Sequence, residues 1–343
     1  MTQPSAKNKK KKVTRREIAA FAGVSPSTVS RALAGSPLIP DSTKARIGEL
    51  AKKHGYVPSS LARSFYQKKS FRIALVIPFS LSEGRVRTVP SEYFSKMLYG
   101  AVSAATEARF SLNVIADDGL SSASLAHEVL SHSVDGFIFL GGSIAQNDRF
   151  DELHRKNIPF VLVHHYVPGK PYISVDTDSE SGLRELLKYF HDNGVRTIGF
   201  VTGGEQFVNA IDRKSLLMRL AGEYDCTVSK IVEGNFSRTS GRYAAEQFMK
   251  KPFPDAIVCA NDRMAFGLIE EMKRNGIRIP DAVRVAGFDN QDVATLISPA
   301  LTTIENPFYD VGRGAAEKLI ALIGGKKVES SRLPSRLMVR ESA

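Results

Sequence analysis

The stretch Val24-Ser25-Pro26-Ser27-Thr28-Val29-Ser30-Arg31-Ala32-Leu33 decides how the rest of the chain is read. Ser25 suits an N-cap, because its hydroxyl can accept from a free backbone N–H of a first helical turn. Pro26 then falls at the first helical position, where its missing N–H costs nothing. Val29 and Leu33 lie four apart and share one face. Ser27, Thr28, Ser30 and Arg31 fall mostly on other faces, and short hydroxyl residues and arginine suit phosphates and base edges. The spacing predicts a short helix that buries one side thinly and offers the other to a polar, anionic partner.

Outward from that helix, Thr14-Arg15-Arg16-Glu17 forms a capping box, with the Thr14 hydroxyl serving the Glu17 N–H and the Glu17 carboxylate serving Thr14. Ile18, Ala19 and Ala22 make a small apolar stripe, and Gly23 stands where a helix end wants positive φ. Helix, glycine turn and capped second helix fit a helix-turn-helix; the pattern by itself also fits an ordinary helical hairpin. A third helix is predicted over about 41–54, with Ile47, Leu50 and Ala51 inward. Lys52, Lys53 and His54 oppose its negative end and Gly55 closes it.

The charge distribution separates this end from the rest. Residues 1–70 hold 15 Lys and Arg against 3 Asp and Glu, a net of +12. The remainder holds 32 against 33, a net of −1, so the overall +11 lies entirely in the N-terminal fifth. That is the electrostatic footprint of a nucleic-acid-binding module joined to a neutral domain. Hydrophobic residues make up 43% of the 343, enough for a substantial core. Cys226 and Cys259 are too few and too far apart for a disulfide framework or a metal knuckle, and both are expected in the core of a cytoplasmic protein. The lysine run at residues 7–12 leads into a charged helix rather than an apolar stretch, so neither a signal peptide nor a membrane span is expected.

From Phe71 onward strands alternate with helices. Ile73–Ile77 is a continuous apolar run, as a strand buried on both faces requires. Helices are predicted over about 93–109, 122–132 and 148–156, with strands at 112–115, 136–140 and 160–163. After Pro171 a second set follows, with strands at 197–201, 227–232, 256–259 and 283–288 among helices near 179–193, 212–222, 238–250, 262–275 and 308–323. Two such sets make two doubly wound α/β lobes, which bind ligands at the carboxyl ends of their strands. The expected plan is a disordered basic arm (1–12), an all-α headpiece (13–57), a linker (58–69) and a two-lobed α/β domain (70–343). Lobe 1 is placed at about 70–166 and 300–326, lobe 2 at about 170–298 and 330–343.

Val13-Thr14, Ile18-Ala19, Ala22-Gly23-Val24-Ser25, Thr28-Val29-Ser30-Arg31 and Leu33 resemble the N-terminus of the lactose-repressor (LacI/GalR) family of bacterial transcription regulators. So do Gly55-Tyr56-Val57-Pro58 and Leu61-Ala62-Arg63-Ser64, and the likeness continues to Arg340-Glu341-Ser342. The resemblance implies a dimer that represses transcription from a palindromic operator under control of a small effector, a sugar or sugar derivative. It implies periplasmic-binding-protein-like lobes, and DNA contacts from Thr14, Ser25, Pro26, Ser27, Thr28, Ser30 and Arg31. It further implies that Leu61, Ala62 and Phe65 belong to a hinge helix in the minor groove. Phe65 stands where the family usually has leucine, and phenylalanine is also a known wedge between bases. By the same resemblance Tyr93, Phe94, Arg213, Asn261 and Asp289 bind the effector; Arg219 is a rival to Arg213. Asp176, after Ile173-Ser174-Val175, is a further candidate at a strand end. Asp262 and Asn290 read as helix caps, and His164-His165 fit either a pocket or a strand end.

Enzyme signatures fail on inspection. Gly141-Gly142-Ser143-Ile144-Ala145 lacks the last glycine of a nucleophile elbow. Gly312-Arg313-Gly314 follows no strand and has Glu317 where a dinucleotide loop needs glycine. Lys326-Lys327 lacks phosphate-loop spacing, and none of the 7 histidines sits in an HExxH pattern. No catalytic residue, metal or cofactor is expected. A sugar-binding transport protein of the same fold is the alternative, and the basic headpiece argues against it.

Overall fold

A computed structural model of the chain describes residues 13–56, 69–78, 80–82, 85–87, 91–117, 120–141, 147–250 and 252–343. The basic arm and nearly all of the linker, with Leu61, Ala62 and Phe65, lie outside the described residues. The chain divides at Phe71 into two units.

In the first unit, α1 (Arg15–Ala22), α2 (Pro26–Leu33) and α3 (Asp41–Lys53) surround a small core. Ile18, Val29 and Ile47 are fully buried there, joined by Ala19, Ala22, Ala32 and the flank of Tyr56. The capping box at Thr14 and Glu17 is present, and Gly23 ends α1 at φ +63°. Arg46 Nη2 donates to the Ala22 carbonyl at 3.0 Å and satisfies a helix end that would otherwise face water.

The second unit contains two six-stranded sheets. The first has strand order β13-β7-β6-β5-β1-β4, built from β1 (Arg72–Pro78), β4 (Ser111–Asp117), β5 (Phe137–Leu140), β6 (Phe160–Val163), β7 (Ser174–Asp178) and β13 (Ser331–Pro334). The second runs β14-β12-β11-β10-β8-β9, from β8 (Thr197–Thr202), β9 (Thr227–Glu233), β10 (Ala256–Cys259), β11 (Arg284–Asp289), β12 (Thr302–Glu305) and β14 (Arg336–Met338). All pairings are parallel except β12 with β14. A short hairpin, β2 (Ser80–Ser82) with β3 (Arg85–Arg87), stands apart.

The chain passes between sheets three times. It leaves β7 for α7 (Ser179–Asp192), leaves β12 for α12 (Phe308–Ile323), and leaves β13 for β14 through Ser335. This corrects the lobe boundaries. Residues 174–178 and 331–334 belong to the first sheet and 302–305 to the second. These crossing strands are short and polar (SVDTD, SRLP, TTIE), so no apolar run marks them in the sequence. Ser335, 3% exposed, stitches two crossings together: its hydroxyl donates to the Asp178 carbonyl and accepts from Gly182 N–H.

In the first lobe α12 crosses α4 (Ser91–Glu107) with backbones touching. A Cβ on Gly312 would lie 2.0 Å from the Met97 carbonyl oxygen, and one on Gly100 2.0 Å from that of Tyr309. Gly312→Ala is therefore expected to force the helices apart at a cost of roughly 1–3 kcal/mol. The measurement is the urea midpoint; an unchanged midpoint would refute the contact.

Candidate functional site

The N-terminal unit offers one polar face. Ser25 caps α2, accepting from Thr28 N–H at 3.1 Å, and its hydroxyl also meets those of Ser27 at 2.7 Å and Thr28 at 2.9 Å. Pro26 occupies the first helical position, and Arg31 is exposed one turn along. A row of exposed hydroxyls at a helix N-terminus, followed by a guanidinium, can hold phosphate and reach a base edge. Thr14 is exposed, with its hydroxyl committed to the capping box. Ser30 departs from the expectation of direct contact. It follows the buried Val29, is itself 8% exposed, and its hydroxyl accepts from Arg15 Nη1 at 3.0 Å. Its place in the structure is to hold Arg15 at the surface. Helical spacing within one helix cannot show this bond between two helices.

The second site lies between the two lobes. Arg213, on α8 (Val208–Ala221), is 5% exposed and donates through Nη2 to Asp289 Oδ1 at 3.2 Å. Its Nη1 is bonded to the Ala260 carbonyl, and its plane lies over the Phe288 ring at 4.6 Å. Asn306, where the chain leaves β12, donates to the same Asp289 oxygen at 2.9 Å. Asp289 ends β11 at φ +106°, a strained conformation for a non-glycine residue that aims its carboxylate at this group. From the first lobe, Tyr93 on α4 shares a 2.6 Å hydrogen bond with His164 Nδ1, and both rings pack on Phe308. Burial, then the charges of Asp289 and Asp176, hold the Tyr93 phenol protonated far above its ordinary range. Burial, then Arg213, pushes His164 down to about 3, so its ring is neutral. Lys96 Nζ reaches the Asn290 carbonyl at 3.4 Å, and Asp292 N–H donates to Glu92, which ties α4 to the loop after β11.

Among the described residues, four buried polar atoms in this group have no partner: His164 Nε2, Asp176 Oδ2, Arg213 Nε and Asn306 Oδ1. Buried polar groups are rarely left so, and a polar ligand or ordered water can complete them. Burial pushes Asp176 up to about 7, with Arg332 opposing and Asp212 adding to the shift. Because the folded value lies above the unfolded 3.8, Asp176 takes up a proton on folding. Its contribution to stability is complete below that value and is lost as pH rises towards about 7. Asp176→Asn should therefore gain stability relative to the unmodified protein between pH 5 and pH 8, as read from urea unfolding at the two pH values; parallel behaviour would refute the shift.

The structure separates the remaining candidates. Arg219 pairs with Glu180 and Glu223 at the surface, so Arg213 is the arginine that faces Asp289. Its helix begins at Val208, a turn earlier than its sequence suggests. Asn261 spends its amide as the N-cap of α10 (Asp262–Arg274): Oδ1 accepts from Met264 N–H at 2.9 Å and Nδ2 donates to the Phe236 carbonyl. The capping expected of Asp262 thus belongs to Asn261. Asp262 is fully buried and accepts from Gln291 N–H at 2.7 Å and Thr303 Oγ1 at 2.5 Å. Asn290 is no cap either, bonding Glu305 and Arg340. Phe94 packs half-buried against the first lobe's core. His164, for which the sequence left pocket and strand end both open, joins the group, and Asn306 and Arg332 join it unannounced by any spacing. Among the described residues, no helix is long and apolar enough to cross a membrane, and no three His, Cys, Asp or Glu stand together as metal ligands would.

Comparison with known proteins agrees with this plan. Residues 14–59 match the model of bacterial regulatory proteins, lacI family, and residues 187–343 that of a periplasmic binding protein-like domain. The probable HTH-type transcriptional repressor ExuR of Bacillus subtilis (strain 168) is 30% identical over 335 residues, covering 96% of this chain and 98% of its own. The lac repressor dimer bound to operator and the anti-inducer ONPF shares the fold, with TM-score 0.77 and 23% identity over 97% of this chain and 99% of that one. A complex of the transcriptional regulator CelR with cellobiose has TM-score 0.71 and 25% identity, covering 96% of this chain and all (100%) of that one. The chain is an effector-controlled DNA-binding regulator, and it belongs to the lacI family of bacterial regulatory proteins.

Proposed function

We propose that the chain is a cytoplasmic, homodimeric transcriptional repressor whose hold on a palindromic operator is set by a sugar or sugar derivative bound between its lobes. One observation carries the effector reading: Tyr93 and His164 of one lobe lie within reach of the charges of Arg213 and Asp289 of the other, in a group whose buried polar atoms lack partners among the described residues. Hydroxyl groups, which both donate and accept, suit such a mixed set. The CelR–cellobiose complex supports a sugar. The mechanism is a population shift. Ligand contacts made to both lobes favour one lobe arrangement, and the operator-binding form gains or loses in proportion to that preference.

The test is a thermal-shift screen of the full chain over sugars, followed by operator binding with and without each hit. At a ligand concentration 100 times its Kd, stabilisation should reach about 2.7 kcal/mol. A hit that stabilises the protein but leaves operator affinity unchanged would favour the transport-type alternative. Phe65 is assigned the wedge at the operator centre. Phe65→Ala should retain salt-sensitive binding to random DNA, which the Lys and Arg residues supply, but lose DNA bending. Fluorescence transfer across a doubly labelled operator measures it; undiminished bending would make residues 58–69 a plain tether.

A further inference from the structure

The effector site can be taken one step further, to the charge of what it holds; this step rests on the sugar reading above. Two of its described cations are spent on the protein itself. Arg213 gives Nη1 to the Ala260 carbonyl and Nη2 to Asp289, and its flat face lies over Phe288. Lys96 is held among the Asn290 carbonyl, Glu92 and Asp292. Arg332 is different. It is exposed and, among the described residues, has no hydrogen-bond or ion-pair partner. Its guanidinium lies over the Tyr166 ring at 5.2 Å. Stacking uses the flat face of the group and leaves its rim of N–H donors open.

Strand order places that rim beside Asp176. β13 is the edge strand of its sheet, β7 is its neighbour and β6 comes next. Arg332 and Asp176 are partners in the parallel register of β13 and β7, so both side chains leave the same face of the sheet. Tyr166 follows closely on β6, so the arginine reaches it across the strand that carries Asp176. Asp176 Oδ2 is buried and has no partner among the described residues. An arginine and a carboxylate so placed ordinarily pair; among the described residues these two do not. A guanidinium edge gives two parallel bonds to a carboxylate, which a single hydroxyl oxygen cannot take up. A hydroxyl on the neighbouring carbon can then donate to Asp176 Oδ2. Burial pushes Asp176 up to about 7, so below that pH its carboxyl is neutral and repels no incoming carboxylate. A phosphate would bring a second negative charge to the same place.

We propose that Arg332 is a specificity residue of the effector site and selects a sugar bearing a carboxylate over the neutral sugar and over its phosphate, with Asp176 taking the adjacent hydroxyl.

The experiment is calorimetry on the full chain with matched probes at pH 6: glucose, glucuronate and glucose 6-phosphate; galactose, galacturonate and galactose 6-phosphate. At least one uronate should bind at least tenfold more tightly than its neutral parent and than its phosphate, as a pair of charge-assisted bonds allows. Arg332→Gln changes an exposed side chain on an edge strand and should leave folding intact by circular dichroism. It should weaken that uronate at least tenfold and leave the neutral parent within about twofold. Arg332→Lys keeps the charge but loses the fork, and should recover only part of the preference. A neutral sugar or phosphate that binds as tightly as its uronate overturns the proposal while leaving the sugar reading intact. So does a preference unmoved by Arg332→Gln, or one fully kept by Arg332→Lys. If no probe binds at millimolar concentration, the sugar reading itself fails, and the role of Arg332 falls with it.

Discussion

Asp289→Ala is expected to abolish the effector response and to cost about 3–5 kcal/mol of stability, because it strands a buried charge. Arg213 is 5% exposed, and among the described residues its Nη2 bonds to this carboxylate. Asn306 loses the acceptor for its amide in the same step. Two measurements separate the effects. Urea unfolding without ligand reads the stranded arginine; operator binding with and without a sugar hit reads the response. If the effector is an inducer, the variant should stay on its operator at every ligand concentration. If it is a corepressor, the variant should bind weakly whether or not ligand is present. The double change Asp289→Ala with Arg213→Met removes both charges and should recover much of the stability without recovering the response. Undiminished ligand binding by Asp289→Ala would remove the residue from the site.

A second large effect is expected at Arg31. Its guanidinium is exposed on α2, one turn beyond the Ser25, Ser27 and Thr28 hydroxyls. In a major groove it can give two parallel bonds to one guanine edge, a contact that discriminates by about 1–3 kcal/mol. Arg31→Ala should weaken operator binding by roughly that much per half-site and relax one base position in each. Affinity for random DNA should fall only slightly, since one cation among many is lost. Arg15→Ala gives a useful contrast. If Ser30 holds Arg15 towards phosphate, this change should weaken operator and random DNA alike. Fluorescence anisotropy on the operator, on single-base variants and on scrambled duplex tests both. Equal losses on operator and scrambled DNA for Arg31→Ala would deny it a base contact.

The headpiece was legible because its signals are local. Thr14 with Glu17, Ser25 with Pro26, and Gly23 between the helices each act within four residues, and the structure has each in place. The buried strands were equally plain as apolar runs, Ile73–Ile77 and Ala256–Cys259 among them. What stayed hidden depends on chain crossings. Residues 174–178, 302–305 and 331–334 carry polar side chains because they sit where the sheets hand over the chain, so their sheet could not be read from pattern. The site suffered likewise. Asp289 and Arg213 are 76 positions apart and Tyr93 and His164 are 71 apart, so only the fold pairs them. The cap expected at Asp262 fell to its neighbour for the opposite reason: capping is local, but Asn261 and Asp262 compete for it, and only the backbone shows which one wins.

Asn306 sits at one of the three passages between lobes, and Asp289 is bonded to it. On the proposed effector reading, a ligand held by Asp289 is anchored beside the pivot. Anything fixed near an axle moves little when the wheel turns. Contacts that a ligand keeps in both lobe arrangements favour neither. A ligand with equal affinity for two states shifts nothing, however tightly it binds. Tyr93 and His164 pack on Phe308, two residues beyond Asn306 on the same passage, so the switching contact expected on that reading is the one a ligand hydroxyl makes to Asp176. A sugar stripped of the hydroxyl that reaches Asp176 would still occupy the cleft and still displace its rivals. It would act as a silent competitor, and a single oxygen atom would separate it from a signal.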